Sequence, residues 1–186
     1  MKNLKPSRRV YVGIKVTDEI AEACVKLQSD MADLPAKFIP PEDIHVTLLA
    51  PWDMVSQSFV EERLRKALRG MKRFTLKFER LAYGPSKMHP RLAWIQCTPS
   101  SETNALKKSL LAAFKTKESV PFVPHMTIAR FTAKDEEKLT HRPIEKPLAW
   151  SMSVESVELF SSPHKGGAGY KVLSSFPIPF DGLTPR

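Results

Sequence analysis

Apolar and polar positions along the chain predict short strands in alternation with amphipathic helices. Apolar residues at every second position predict a strand over residues 10–16. Apolar residues then recur at three- and four-residue spacings, which predicts a helix over residues 18–33 with Thr17 as its N-cap. Pro40 and Pro41 are expected to keep the chain extended before the next strand.

Similar patterns continue to the end of the chain. They predict strands at residues 44–49, 74–78, 92–97, 125–128, 152–160 and 170–173. They predict helices from a Ser58–Glu61 capping box to about residue 70, from Ser100 or Ser101 to about Phe114, and at residues 135–139. Pro51 is expected to stop a strand, residues 83–86 to form a turn, and the glycine-rich residues 166–169 to form a hairpin loop.

The order strand, helix, strand, helix, strand occurs twice, and the second strand of each round carries a His-x-Thr motif. The two motif histidines, His45 and His125, are 80 residues apart. This predicts an internal duplication within one domain, with halves at about residues 8–80 and 90–160 and a C-terminal hairpin at 150–180. Two such halves packed about a pseudo-two-fold axis would place both histidines in one cleft.

Each motif offers an imidazole and a hydroxyl side by side. Side chains two residues apart in a strand point to the same face, so His45 lies beside Thr47 and His125 beside Thr127. A chance occurrence of both motifs among the five histidines has a probability of about one in a thousand. The alternative is a pair of structural histidines that bond to backbone or water.

This set of groups suits cleavage of a phosphodiester. Displacement at phosphorus needs a base for the attacking oxygen and an acid for the leaving oxygen, and histidine can serve as either near neutral pH. Threonine hydroxyls can donate to the non-bridging oxygens. The scheme needs no cofactor or metal, and the sequence has neither zinc-ligand spacing nor a P-loop. Because the motifs are nearly symmetric, the residues alone leave open which histidine is the acid.

Charge and composition bear on partner and compartment. The net charge of +9 favours a polyanionic partner such as nucleic acid, although a basic protein without one fits as well. The hydrophobic content of 42% supports a folded core, and no apolar run reaches the ~20 residues of a membrane span. Cys24 and Cys97 are expected to be reduced core residues of a cytoplasmic protein without a signal peptide. No feature demands more than a monomer.

The paired motifs, with Arg130 shortly after the second, resemble the 2H phosphoesterase superfamily. Within it they are similar to the RNA 2′,3′-cyclic phosphodiesterases once called 2′-5′ RNA ligases. The resemblance covers nearly the whole chain. It also includes residues 9–14, 40–44, 90–94, 121–124, 129–130, 158–159, 169–170 and 173.

The resemblance implies an α+β, bilobal fold in which two antiparallel sheets line a central cleft and the helices lie outside. It implies hydrolysis of a 2′,3′-cyclic phosphate, at an RNA end or in a small cyclic nucleotide, to a 2′-phosphate. His45 would be the acid that protonates the 3′ leaving oxygen, and His125 the base that acts on water. Thr47 and Thr127 would bind phosphate oxygens, with Arg130 as an added cation.

Some residues depart from the family pattern or have a second interpretation. Residues 49–52 replace the Phe-Leu-Gly-like stretch that often follows the first motif, so the exact substrate stays open. Strand alternation places Arg130 opposite His125 unless the strand bends, and a surface or interlobe ion pair is its alternative role. Trp52 and Tyr11 are candidates for stacking on a nucleobase, with packing at the lobe edge or in the sheet as the alternative.

Three functions therefore stay open. The first is a metal-independent cyclic phosphodiesterase that acts on RNA ends. The second is 2′-5′ joining of RNA ends, which is the same chemistry in reverse. The third is a non-catalytic module that binds RNA ends or nucleotides.

Overall fold

The computed structural model describes residues 8–118, 120–162 and 169–180. Its strands are β1 (Arg8–Lys15), β2 (Lys37–Phe38), β3 (His45–Met54), β4 (Phe74–Pro85), β5 (Pro90–Cys97), β6 (His125–Arg130), β7 (Lys146–Val154), β8 (Ser156–Ser161) and β9 (Lys171–Pro177). Its α-helices are α1 (Asp18–Ser29), α2 (Gln57–Ala67), α3 (Ser101–Phe114) and α4 (Glu136–Thr140).

These strands form one antiparallel sheet whose two halves meet at its centre. The order is β7-β4-β5-β6-β3-β1-β8-β9, with β2 beside β6. The halves join between β3 and β6, where Val46 pairs with Met126. The two predicted sheets are therefore the halves of a single sheet, and the α+β class with antiparallel pairing is confirmed.

Outward from the centre, β3, β1, β8 and β9 on one side correspond to β6, β5, β4 and β7 on the other. The halves of the sheet are not the halves of the sequence, however. β4 pairs with β5 and β7, whereas β8 pairs with β1. Each half of the chain thus contributes a strand to the other half of the sheet. The duplication, with bounds near residues 8–80 and 90–160, stays a prediction.

The hydrophobic core lies between the sheet and the helices. The apolar residues of both motif strands belong to it, and four of them have no exposed surface: Val46, Leu48, Met126 and Ile128. α1 contacts β6 and α3 contacts β3, so each helix lies behind a motif strand. Cys24 and Cys97 are buried free thiols, as expected. No helix in the described ranges is long and apolar enough to cross a membrane.

Helix caps are confirmed at two places and wrong at one. Thr17 caps α1, and Ser100 caps α3 through a capping box. The N-cap of α2 is Ser56, whose hydroxyl accepts from the third amide of that turn, and not Ser58. The carboxylate of Glu61 is instead occupied by side chains of α2 and β9.

Proline positions account for several differences in the bounds. β3 runs through Pro51 to Met54, because Pro51 lies where the β1–β3 pairing is irregular and no ladder bond needs its missing N–H. Pro41 begins a 3-10 turn, which its fixed φ favours, so residues 41–43 are not extended. The predicted turn at residues 83–86 belongs largely to β4, which continues to Pro85.

The C-terminal strands also differ from the prediction. One strand was expected at residues 152–160, but β7 ends before Glu155 and β8 begins after it. β8 pairs with β9 as an antiparallel hairpin. The predicted loop at residues 166–169 lies outside the described residues except for Gly169.

Candidate active site

The two His-x-Thr motifs lie side by side at the junction of the sheet halves. Val46 pairs with Met126 in antiparallel orientation. One residue further along each strand, His45 is therefore directed towards Thr127 and Thr47 towards His125. All four side chains are partly exposed, whereas their apolar neighbours are buried. The predicted alternation is confirmed, and the face opposite the core carries two imidazoles and two hydroxyls.

A β-bulge in β6 determines where Arg130 points. Thr127 and Ala129 pair with consecutive residues of β5, so Ile128 between them is an extra residue. An extra residue reverses the alternation beyond it. Arg130, which pairs with Leu92, therefore shares the face of the histidines. Simple alternation predicted the opposite face for Arg130, and the bulge corrects that expectation.

β3 has a bulge at the same point of its motif. Thr47 pairs with Gly13 and Leu49 with Val12, which leaves Leu48 as the extra residue. The bulges thus follow both motif threonines directly. Neither is visible in the alternation of apolar residues alone.

Trp52 points away from the histidines, to the face that simple alternation gives it, because a second irregularity of β3 between Leu49 and Trp52 cancels the reversal at Leu48. Trp52 pairs with Val10, whose side chain lies in the core. Its ring packs against Phe114 of α3 with centroids 5.4 Å apart. It lines an apolar groove of about 560 Å³ to which neither motif histidine contributes. The structure therefore does not bring Trp52 together with the histidines.

The ring of His45 is oriented through its Nδ1 atom. Nδ1 lies 2.7 Å from the carbonyl oxygen of Asp43 and 3.3 Å from the hydroxyl of Tyr11. Because a carbonyl oxygen can only accept, Nδ1 carries the hydrogen and the Nε2 atom of the neutral ring presents a lone pair. The Thr47 hydroxyl lies 3.1 Å from Nε2 and donates to it in this tautomer.

His125 is oriented by the same device. Its Nδ1–H donates to the carbonyl oxygen of Val123 at 2.7 Å. Its ring lies against Trp94, with centroids 4.5 Å apart and planes inclined by 56°. Both histidines therefore use the carbonyl two residues earlier to fix Nδ1, and both leave Nε2 for proton transfer.

Aromatic rings surround His45 more fully than His125. Tyr11, Tyr170 and Phe160 have centroids 4.6, 5.2 and 5.6 Å from the imidazole. Tyr11 is only 2% exposed and stacks on Phe160 at 4.8 Å. Because its ring is covered, Tyr11 supports His45 and offers no face to a nucleobase, which corrects its proposed stacking role.

Asp43 is a site residue that the sequence patterns did not single out. It is 3% exposed, and its carboxylate accepts from the backbone N–H groups of Gly169 and Tyr170 at 2.7 and 2.9 Å. Its carbonyl oxygen accepts from His45. Asp43 thus connects the start of β9 to the first motif. The only sequence signal for it was its place in the resembling segment at residues 40–44.

Two glycines make room for the rings at the site. A Cβ atom on Gly13 would lie 2.8 Å from the carbonyl oxygen of Val46 and 3.5 Å from the His45 ring. A Cβ atom on Gly84 would lie 2.4 Å from the Trp94 ring. Any larger residue at either position would displace a motif histidine or the ring beside it.

The surroundings lower the pKa of both motif histidines. Burial is the main cause in each case, and the positive charge of Arg130 acts in the same direction on both. The charge of His125 also lowers the pKa of His45, whereas the carbonyl and the carboxylate of Asp43 oppose the shift. These interactions place Arg130 and both imidazoles within electrostatic reach of one another. At neutral pH these shifts favour the neutral form of both rings.

His89 and His141 lie apart from this site. His89 is exposed and pairs with Glu136, and His141 is exposed. His164 lies outside the described residues. Within the described ranges, no three His, Cys, Asp or Glu side chains gather in an arrangement that could hold a metal ion.

Two strands that each carry a His-x-Thr motif lie at the centre of the antiparallel sheet of an α+β fold. This arrangement defines a two-histidine phosphoesterase. A family model described as the 2′-5′ RNA ligase superfamily matches residues 16–166. The chain therefore belongs to this family, and the resemblance seen in its sequence is confirmed.

Relatives agree with this assignment, and a solved structure agrees with the fold. The chain is 26% identical over 135 residues to a protein of Archaeoglobus fulgidus named RNA 2′,3′-cyclic phosphodiesterase, covering 69% of this chain and 76% of that protein. A Bacillus subtilis protein of the same name is 23% identical over 185 residues and is covered completely, with 96% of this chain. Escherichia coli LigT, solved with phosphate, has a TM-score of 0.70 at 21% identity, over 94% of this chain and 99% of LigT.

Proposed function

We propose that this protein hydrolyses a 2′,3′-cyclic phosphate at the end of an RNA to a 2′-phosphate, by acid–base catalysis from two histidines. One observation carries the proposal. Each motif histidine donates its Nδ1–H to a backbone carbonyl and presents Nε2 on a face that also holds both motif threonines and Arg130. A phosphate on this face would meet a proton acceptor, a proton donor and three anion-binding groups.

The proposed reaction is a single displacement at phosphorus. Nε2 of His125 takes a proton from a water molecule, whose oxygen forms a bond to phosphorus. The bond from phosphorus to the 3′ oxygen breaks, and Nε2 of His45 donates its proton to that oxygen. Thr47, Thr127 and Arg130 bind the non-bridging oxygens, where negative charge accumulates. The assignment of acid and base rests on the family resemblance.

Binding of the anionic phosphate supports this assignment electrostatically. Both imidazoles have a lowered pKa in the free protein. A negative charge between them favours the protonated form, so substrate offsets the effect of burial on the acid. Among the described residues, a carboxylate favours the protonated state of His45, that of Asp43, and none does so for His125. This asymmetry agrees with the acid role of His45.

Names of relatives point to the same substrate. Proteins named RNA 2′,3′-cyclic phosphodiesterase from archaea and bacteria are 23–27% identical to this chain. The net charge of +9 suits an RNA substrate.

The test is an assay on an oligoribonucleotide that ends in a 2′,3′-cyclic phosphate, with EDTA present. We expect a 2′-phosphate product at an undiminished rate. A 3′-phosphate product, or turnover that EDTA abolishes, would contradict the proposal. Binding without turnover would identify a non-catalytic module. A 2′-5′ linked product as the main outcome with added 5′-hydroxyl RNA would identify end joining instead.

A further inference from the structure

The bulge in β6 contains a buried carbonyl oxygen, that of Ile128, which needs hydrogen-bond donors. A bulge takes one residue out of the regular ladder, and a buried carbonyl without a donor is costly. The carbonyl oxygen of Ile128 accepts from the backbone N–H of Ile39 at 2.9 Å. It also accepts from the side-chain amide of Gln28 at 2.9 Å. The bulge is thus held by two donors.

The side chain of Gln28 is held in this position by burial and by its hydrogen bonds. It lies on the buried side of α1 and is 8% exposed. Its Nε2 donates to the carbonyl oxygen of Ile39 at 2.7 Å as well as to that of Ile128. Both N–H bonds of the amide are therefore used, and they tie Ile39, the residue after β2, to the bulge. Burying a polar side chain is unfavourable unless it is paired in this way.

The bulge in β3 has an equivalent donor. The ammonium group of Lys107 on α3 is buried and donates to the carbonyl oxygen of Leu48 at 2.5 Å. Each bulge therefore receives one buried polar side chain from the helix behind it. The same solution occurs twice with different residues, and each time it serves the position that follows a motif threonine.

The bulge at Ile128 has a direct consequence for the catalytic face. Without it, strand alternation would direct Arg130 towards the core side of the sheet. With it, Arg130 lies on the face of His45 and His125 and lowers the pKa of both.

We propose that Gln28 is a positioning residue for Arg130: its amide holds the bulge that turns the guanidinium to the histidine face. The effect of Gln28 on turnover rests on the proposed function. The effect of Gln28 on the position of Arg130 does not, so the two can be tested separately.

The primary test measures the pKa values of His45 and His125 by NMR titration of the protein alone. Arg130→Met removes the positive charge, so both pKa values should rise. Gln28→Met keeps the length of the side chain but removes both donors, and it should raise the same two pKa values. In the double variant the pKa values should equal those of Arg130→Met, because the two changes act through one group.

The matched control is Gln57→Met on α2. Gln57 also donates from a half-buried side chain, to Glu61 and Ser174, but these bonds lie away from both motif strands. Both histidine pKa values should stay at the wild-type level in this variant. A rise in Gln57→Met as large as that in Gln28→Met would show a general loss of packing and would overturn the proposal.

Turnover of the cyclic-phosphate oligoribonucleotide gives the second readout. Loss of a charged hydrogen bond to phosphate in Arg130→Met should lower kcat/KM by about 10- to 100-fold. Gln28→Met should lose a similar factor, and the double variant no more than Arg130→Met. If the wild type shows no turnover, the proposed function fails while the titrations still decide the role of Gln28.

Two further results would overturn the inference. One is a rise of both pKa values in Arg130→Met with wild-type values in Gln28→Met. The other is wild-type values in Arg130→Met, since Arg130 would then not face the histidines. If Gln28→Met does not fold, Gln28→Asn, whose shorter amide cannot reach both carbonyls, replaces it in the same comparison.

Discussion

Replacing Gly13 by alanine tests whether the position of His45 depends on the close contact between β1 and β3. The new Cβ atom would lie 2.8 Å from the carbonyl oxygen of Val46, and ordinary contact begins at 3.4 Å. The strands must therefore separate by about half an ångström, and overpacking of this kind costs about 1–3 kcal/mol. Gly13 pairs with Thr47, so the shift occurs within the first motif.

The same shift should also slow catalysis. Misplacement of a catalytic group by ~1 Å can cost about 100-fold in rate, so we expect Gly13→Ala to lower kcat by about 10- to 100-fold. The assays are turnover of the cyclic-phosphate oligoribonucleotide and urea unfolding of the same preparation. The folded fraction at the assay temperature should remain near complete.

Gly70→Ala is the matched control. Gly70 has a φ of +78°, where alanine is strained, but no atom lies within 4 Å of its added Cβ. We expect a stability loss of roughly 1 kcal/mol and unchanged kcat. If Gly13→Ala lost stability but kept the kcat of the control, the reasoning that Gly13 sets the position of His45 would be refuted.

Three further outcomes are expected. Because the pKa of each motif histidine is lowered from 6.5, kcat/KM should be bell-shaped with its maximum on the acid side of pH 6.5, and a maximum above pH 8 would contradict this. Asp43→Asn removes a charge that raises the pKa of His45 and one of the two oxygens that accept from the N–H groups of Gly169 and Tyr170, so the pKa of His45 should fall further. A rise of this pKa in NMR titration would contradict the account. Lys107→Met leaves the carbonyl of Leu48 and the carboxylate of Glu118 without their donor. It should cost about 2–4 kcal/mol in urea unfolding, and a cost below ~0.5 kcal/mol would contradict that role.

Local patterns were sufficient to predict part of the site. The His-x-Thr alternation correctly placed each histidine beside its threonine, because a strand alternates its side chains whatever lies next to it. Ser100 was recognisable as a cap for a similar reason, since a cap depends on the first turn of its own helix.

Other features depend on partners distant in sequence and were not predictable in this way. The bulges after Thr47 and Thr127 exist because of how β1 and β5 pair with the motif strands. The bulge in β6 reverses the face of Arg130, which alternation placed wrongly. Asp43 joins the site through amides more than 120 residues away, as its bond to Gly169 shows.

Turnover by single histidine variants tests the central claim most directly. Wild type, His45→Ala and His125→Ala would be compared on an oligoribonucleotide with a 2′,3′-cyclic phosphate end. Each proton transfer contributes about 10²–10⁴-fold, so each variant should lose at least about 100-fold in kcat while remaining folded. Retention of wild-type turnover by either folded variant would contradict catalysis by two histidines on one phosphate.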